Sequence, residues 1–188
     1  DVSDLQSFIT SSSDSTAISA SATSSALAGI YEVSVSQLAD RDSFSFDGFD
    51  SDTGTLNDGN AVTIQITQGG STTELSVINP TLTNIAETIN DSGLNLTASV
   101  IDTGAASGRY VLSVSSLTGS ENSFSIASDV LTGQVQQSAA ADVSATVNGV
   151  NISSSTNTLG DAIPGLTLNL KKTFASETVT VTADTSNI

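Results

Sequence analysis

The chain has no cysteine, histidine or methionine among its 188 residues, and these absences exclude several kinds of chemistry. Without cysteine there is neither a disulfide framework nor a thiolate nucleophile. Without histidine the commonest general base and metal ligand is missing, which removes serine–histidine and cysteine–histidine catalysis and the usual zinc sites. An enzyme built on this chain would depend on carboxylates alone, so the composition favours a protein without catalytic activity.

Aromatic and basic residues are also scarce. Aromatics make up 4% of the chain, so its core must be built from Val, Ile, Leu and Ala, which suits thin β layers. Four basic residues stand against 20 acidic ones, a net charge of -16, which repels phosphate backbones and anionic lipid. We therefore expect no nucleic-acid partner and no membrane partner.

A chain that starts at Asp1 without methionine is expected to be an internal piece of a longer protein.

The first 60 residues change character twice. The stretch from Asp1 to Gly29 is rich in Ser, Thr and Ala without a sustained period, and it is interpreted as an extended connector. Tyr31, Val33 and Val35 then alternate with polar residues, which predicts a half-buried strand. The acidic, turn-rich segment 42–59 that follows is the best candidate boundary in this half.

The middle of the chain, from about Leu56 to Leu131, predicts an α+β module. Two alternating runs around Gly69-Gly70 indicate a hairpin. The next segment predicts a helix, with Pro80 in its first turn, Gly93 at its end, and one apolar face formed by Leu82, Ile85, Ala86 and Ile89. Two further strands, a turn at Gly119 and a short strand through Phe124 and Ile126 complete the module.

The last third is again strand-like after the Gln- and Ala-rich segment 133–142. Asn148-Gly149 separates two short runs and predicts a type I′ hairpin turn. Pro164-Gly165 suits the central positions of a type II turn, after which alternating leucines predict a strand. Alternation through Val179 and Val181 predicts a closing strand.

The acidic residues do not form a recognisable ligand set. Asp50 and Asp52 have calcium-loop spacing, but Gly54 and Ala61 occupy later ligand positions. A carboxylate pair for glycoside hydrolysis has almost no aromatic residues to stack a sugar. Lys171-Lys172 is expected to end a strand and pair with nearby acids. We therefore assign no catalytic, cofactor-binding or metal residue and expect no cofactor.

Several segments, taken in order, resemble the bacterial flagellar filament cap protein, also called flagellar hook-associated protein 2. The segment "SATSSALAGIYEVSVSQLAD", containing Tyr31, resembles the family's entry into its head region. "TLTNIAETINDSGLNLTASVI" and "GRYVLSVSSLTGSENSFSI" resemble the Ile-Asn module of flagellins and hook-associated proteins, with Ile89-Asn90 and Gly119 as markers. "ADVSATVNGVNISSSTNTLGDAIPGLTLNL", with Asn148-Gly149 and Pro164-Gly165, resembles the return segment.

The resemblance implies a mainly β fold with one short helix, in two β-rich domains of which one is inserted into the other. Its implied parts are a connector or leg-domain stub at 1–14, a discontinuous head domain at 15–51 and 134–188, and an inserted Ile-Asn-type module at 52–133. The residues expected to carry structural roles are Tyr31, Ile89, Asn90, Gly119, Asn148, Gly149, Pro164 and Gly165.

The implied function is structural. A member of this family is extracellular, forms a homo-oligomer ring at the filament tip, and retains exported flagellin subunits so that they fold into the filament. Two alternatives stay open from the sequence: a surface adhesin that binds host glycan or mucin, and an outer domain of a flagellin or junction protein, which share the Ile-Asn module.

Overall fold

The computed structural model describes residues 7–185, and within them it is mainly β with one α-helix. This confirms the expected fold class. The helix α1 is Leu82–Asn90, and the strands are β1 (Phe8–Ser12), β2 (Ile18–Ala22), β3 (Gly29–Gln37), β4 (Arg41–Ser45), β5 (Val62–Gln68), β6 (Ser71–Val77), β7 (Leu96–Asp102), β8 (Tyr110–Thr118), β9 (Phe124–Ala127), β10 (Val135–Ser138), β11 (Val143–Val147), β12 (Val150–Ser154), β13 (Thr158–Ile163), β14 (Leu166–Leu170) and β15 (Phe174–Ala183).

The chain divides into two compact units, each with its own core. Unit 1 contains the residues up to Ala39 and those from Ala141 onward, and unit 2 is Asp40–Ala140. Unit 1 has a five-stranded sheet, β1-β15-β3-β11-β12, and a three-stranded sheet, β13-β14-β2. Its core contains Val33, Val179 and Leu168, which lie on the inward sides of these alternating strands.

Unit 2 packs α1 with a four-stranded sheet, β10-β4-β8-β7, and a three-stranded sheet, β6-β5-β9. All four predicted helix-face residues are buried, because the 3.6-residue period turns them to one side. The predicted role of Pro80 in the first turn was wrong. Thr81 is the N-cap and its hydroxyl accepts a hydrogen bond from Asn84 N at 3.0 Å, so Pro80 lies before the helix.

The connector predicted for residues 1–29 was also wrong over much of its length. β1 pairs with β15 and β2 pairs with β14, all antiparallel. Small residues fill both strands: β1 (FITSS) has no apolar alternation, and the alternation of β2 (ISASA) contains only one large apolar residue, Ile18. Partners more than 140 residues away along the chain supply the ladder. Residues 1–6 of the predicted segment 1–14 lie outside the described part of the chain.

The segment that was interpreted as a boundary and the Gln- and Ala-rich segment both contain strands. β4 lies at the start of the acidic segment 42–59, and β10 lies within the Gln- and Ala-rich segment 133–142. β4 pairs with β8 and β10 pairs with β4, so both strands belong to unit 2 rather than to the flanking unit. The chain therefore passes from one unit to the other at Ala39/Asp40 and Ala140/Ala141, whereas the limits implied by the resemblance lie after residues 51 and 133.

Candidate functional site

The markers of the Ile-Asn segment tie α1 to the neighbouring strand. Ile89 is fully buried in the core of unit 2. Asn90 ends the helix, and its side-chain amide forms two hydrogen bonds with one residue of β7: Nδ2 donates to Ala98 O at 2.9 Å, and Ala98 N donates to Oδ1 at 2.8 Å. The amide thus replaces a neighbouring strand at the edge of the sheet. Gly119, at φ 104°, donates its N–H to Asp40 O at 3.0 Å.

We expect Asn90→Ala to destabilise unit 2 by about 1–2 kcal/mol, because both backbone groups of Ala98 lose their partner. Urea unfolding monitored by hydrogen exchange of β7 measures the change. Asn84→Ala is the matched control on the same helix, since Asn84 Nδ2 makes one hydrogen bond, to Asn79 O. An equal loss in both variants would contradict the role assigned to Asn90.

Unit 1 has the same arrangement at Asn157 and a related one at Asn148. Asn148, at φ 49° in the predicted turn, accepts a hydrogen bond from Glu32 N at 2.9 Å on Oδ1 and donates its own N–H to Glu32 O at 2.8 Å. Gly149 follows at φ 79°, so both central turn residues have the positive φ that a type I′ turn requires. Asn157 pairs with both backbone groups of Ala39, at 2.8 and 2.9 Å.

Sequence reasoning did not single out Asn157, although it lies in the quoted return segment. No local signal separates it from the other asparagines, since its partner lies 118 residues away along the chain. The predicted Tyr31 has a similar bridging role at shorter range, because its hydroxyl donates to Leu27 O at 3.0 Å.

The Pro164-Gly165 turn joins β13 to β14 and also holds a loop of unit 1. Gly165 has φ 74°, as the third position of a type II turn requires. Its carbonyl accepts a hydrogen bond from Thr23 N at 2.8 Å. A Cβ built on Gly165 would lie 2.5 Å from Ala26 N, so only glycine fits this approach of two backbone segments.

A buried carboxylate in unit 2 was missed by the sequence analysis. Asp42 is 3% exposed, and its carboxylate accepts hydrogen bonds from Phe124 N at 3.0 Å, Gln136 Nε2 at 2.7 Å and Ala140 N at 3.2 Å. The alternation of residues along β4 could have indicated that Asp42 is buried, because Asp42 lies on the same side of the strand as Phe44 and is followed at the same period by the buried Phe46. The carboxylate joins three separate segments, which is a structural role.

Two ion pairs lie at the surface. Lys172 Nζ contacts Asp14 Oδ2 at 2.8 Å, as expected, whereas Lys171 Nζ donates to the carbonyl of Ser15 at 2.8 Å instead of to an acid. Hydrogen bonds from Lys172 and Thr16 hold the pKa of Asp14 well below its usual range. Arg109 contacts Asp102 with two hydrogen bonds of 2.6 Å. Those hydrogen bonds, with a further one from Gly104 N, lower the pKa of Asp102 to about 2.

Arg109→Gln is expected to return the pKa of Asp102 from about 2 towards its ordinary value of 3.8. Because the folded-state pKa is the lower one, the contribution of this pair to stability is complete above the ordinary value and is lost as the pH falls through about 2. The contribution is small, since both side chains are exposed to solvent. Carboxyl NMR titration of Asp102 measures the shift, with Asp14 as the internal reference that should not move.

The outer side of the four-stranded sheet of unit 2 is uncharged along its middle. Register aligns hydroxyl side chains in two rows across β4, β8 and β7, which together we call the serine face: Ser43, Ser115 and Thr97 in one row, and Ser45, Ser113 and Ser99 in the other. Apolar side chains rim it, with Val135 54%, Ile101 48% and Leu117 57% exposed. In unit 1 the corresponding outer side of the five-stranded sheet has Ser34 hydrogen-bonded to Thr146 at 2.6 Å.

The described residues contain no group of three or more potential metal ligands. Asp50, from the rejected calcium loop, instead accepts a hydrogen bond from Gly108 N at 2.7 Å. An open hollow of about 490 Å³ lies beside an irregularity in the β3–β15 ladder, lined by Ser34, Val35, Ser36, Thr173, Phe174 and Ala175. Nor does any described helix have the length and apolarity needed to cross a membrane.

The fold defines a class of protein: a mainly β chain in which one compact unit interrupts the sequence of another. Within each unit asparagine side chains join separate segments, and the outer sheet faces are rich in hydroxyl groups. Models of one family match both ends of this chain. One described as Flagellar hook-associated protein 2 N-terminus matches residues 1–42, and one described as Flagellar hook-associated protein 2 C-terminus matches residues 140–188. The chain belongs to the flagellar hook-associated protein 2 family.

Individual relatives agree with this family. The chain is 34% identical over 178 residues to flagellar hook-associated protein 2 of Escherichia coli (strain K12), an alignment that covers 84% of this chain and 38% of the relative. The D2-D3 domains of the E. coli flagellar cap protein FliD superpose with a TM-score of 0.83 at 29% identity, covering 96% of this chain and 100% of that one. The D1-D2-D3 structure gives 0.84 at 31% identity, with 98% and 60% covered.

These comparisons confirm the resemblance on which the expected fold rested. The chain spans about two fifths of the length of the E. coli K12 relative, 38% of it. It therefore corresponds to one part of a longer relative, and the activity of the whole protein is a matter for proposal.

Proposed function

We propose that this chain is the two-unit head part of a flagellar filament cap, which retains exported flagellin at the filament tip and promotes its incorporation and folding. The observation that carries the proposal is the full coverage of the D2-D3 domains of a flagellar cap protein by this chain. The arrangement of the family models supports it, because they match the two ends that fold together into unit 1. Nothing on the described residues favours the adhesin alternative.

The mechanism we propose is steric and involves no reacting groups. In each unit one side of a sheet packs against the apolar core, and the other side is rich in hydroxyl groups and faces outward. These outer sides are extended surfaces on which another protein can lie. The serine face has no charged side chain in its two rows, so an acidic partner meets no direct repulsion there. Flagellin subunits and neighbouring copies of the protein in a ring are the partners we propose, in an extracellular position.

The two units have distinct proposed assignments. Unit 1 is the head domain that continues toward the rest of the protein, and unit 2 is the Ile-Asn-type module. We propose structural roles for all the residues singled out from the sequence: Tyr31, Ile89, Asn90, Gly119, Asn148, Gly149, Pro164 and Gly165. Some of them form hydrogen bonds between segments of their own unit, Ile89 is buried in a core, and the glycines have the backbone angles that their turns require.

Deletion of the gene in the parent cell tests the capping role. We expect filaments to be lost while monomeric flagellin accumulates in the medium, and a plasmid copy of the whole gene should restore them. Flagellin in the medium and in sheared filaments is measured by immunoblot. Intact filaments on the deleted strain would refute the proposal, and binding of this chain to a glycan would then become the leading hypothesis.

A further inference from the structure

One edge of the five-stranded sheet in unit 1 pairs with no other described strand and is unprotected. β12 ends that sheet, and its five residues pair with β11 in a regular register. Natural sheets protect such edges with charges, proline, irregular pairing or very short strands, since a free edge can pair with another chain. β12 has none of these features, and Val150 at its start is 66% exposed.

Four other edge strands of the described residues are protected. β10 is interrupted by an irregularity between Gln136 and Ser138. β13 is interrupted between Leu159 and Ile163. β6 presents Glu74, and β9 has only four residues. β12 therefore lacks the protection that these four edge strands have.

The distribution of charged residues along the chain also favours pairing at this edge. Residues 143–160 contain no charged side chain, although the chain as a whole carries -16. Two copies of so acidic a protein repel one another except where uncharged surfaces meet. A second copy of this chain can approach along β12 without bringing acidic side chains of that segment together.

The register gives the edge a self-complementary pattern. Val147 and Val150 flank the two-residue turn and form a hydrogen-bonded pair, as do Ala145 with Ile152 and Val143 with Ser154. The N–H and C=O groups of Asn151 and Ser153 therefore point away from β11. If a second β12 lies antiparallel with Ile152 opposite its counterpart, Asn151 faces Ser153 of the other copy, and all of these groups find partners.

We propose that β12 is a dimerisation edge, at which two copies of this protein pair antiparallel about a two-fold axis at Ile152. A two-fold contact uses the same edge of both copies, so it cannot by itself close a larger ring and does not depend on the capping role. One five-residue strand buries much less than the roughly 1,000 Å² typical of stable interfaces. The association is therefore weak and reversible.

Disulfide trapping tests the register directly, because the natural chain has no cysteine to interfere. In the proposed pairing Val150 lies opposite Ser154 of the other copy, whereas Val150 is roughly 13 Å from its own counterpart. Under mild oxidation we expect a mixture of Val150→Cys and Ser154→Cys chains to form a cross-linked dimer several-fold faster than either variant alone. Ser76→Cys on the charged edge β6 reports collisional cross-linking.

A second change separates loss of pairing from loss of folding. Asn151→Pro in both cysteine variants removes an N–H that points away from β11, so the hairpin persists and the cross-link is expected to disappear. Hydrogen exchange of β11 verifies the hairpin. The proposal is overturned if the mixture cross-links no faster than the single variants or the Ser76→Cys control, or if Asn151→Pro leaves the cross-link unchanged while β11 stays protected.

Discussion

Replacing Asp42 with alanine is expected to remove about 3–5 kcal/mol of the stability of unit 2. The carboxylate is 3% exposed and accepts hydrogen bonds from Phe124 N, Gln136 Nε2 and Ala140 N. Alanine leaves Phe124 N and Ala140 N without their partner inside the fold, whereas the exposed Gln136 side chain can turn to water. Each such donor costs about 1–3 kcal/mol, a large part of the total stability of a small domain.

Urea unfolding with hydrogen exchange read separately in the two units measures this effect. Strands of unit 2 should lose protection, whereas those of unit 1 should keep it, because each unit has its own core. Asp47→Ala is the matched control, since Asp47 is exposed and accepts one side-chain hydrogen bond, from Thr132. Similar losses in both variants would show that burial of Asp42 is not the cause.

Gly165→Ala should destabilise unit 1 by about 3 kcal/mol. Part of the loss is the left-handed backbone at φ 74°, which costs about 1–2 kcal/mol for any residue with a Cβ. The rest comes from the new Cβ, placed 2.5 Å from Ala26 N and 2.7 Å from Ser25 C. Backbone atoms cannot rotate away, so the turn and the loop must separate and strain both segments.

Gly149→Ala separates the two contributions. Gly149 has φ 79°, and nothing lies within 4 Å of a Cβ built on it, so only the backbone cost of about 1–2 kcal/mol applies. Thermal or urea unfolding of unit 1 should therefore rank the wild type, Gly149→Ala and Gly165→Ala in falling order of stability. Equal losses at the two glycines would refute the steric part of the explanation.

Local patterns in the sequence identified the elements whose determinants lie close together along the chain. The face of Leu82, Ile85, Ala86 and Ile89 predicted α1, and all four residues are buried. Asn148-Gly149 predicted the β11–β12 turn, and both residues have positive φ. In each case the period of side-chain burial or the angle required at a turn position is set by adjacent residues.

Elements whose partners are distant were missed. β1 has no apolar alternation, and β2 alternates serine with only one large apolar residue, Ile18. Both are strands because β15 and β14 form hydrogen-bonded ladders with them. β4 lies at the start of the acidic segment that was interpreted as a boundary, β10 lies in the Gln- and Ala-rich segment, and both pair within unit 2. A backbone ladder leaves little trace in side-chain composition, so the sequence placed the limits of the units incorrectly with respect to these strands.

The sequence by itself determined the mainly β class, the single helix, the principal turns and the family resemblance, since each depends on short-range pattern or on motifs in order. Only the tertiary structure decided where the units meet, that Asp42 and Asn157 join distant segments, that hydroxyl side chains align on the serine face, and that β12 has a free edge. These features depend on strand register, in which a shift of one residue turns every side chain to the other face.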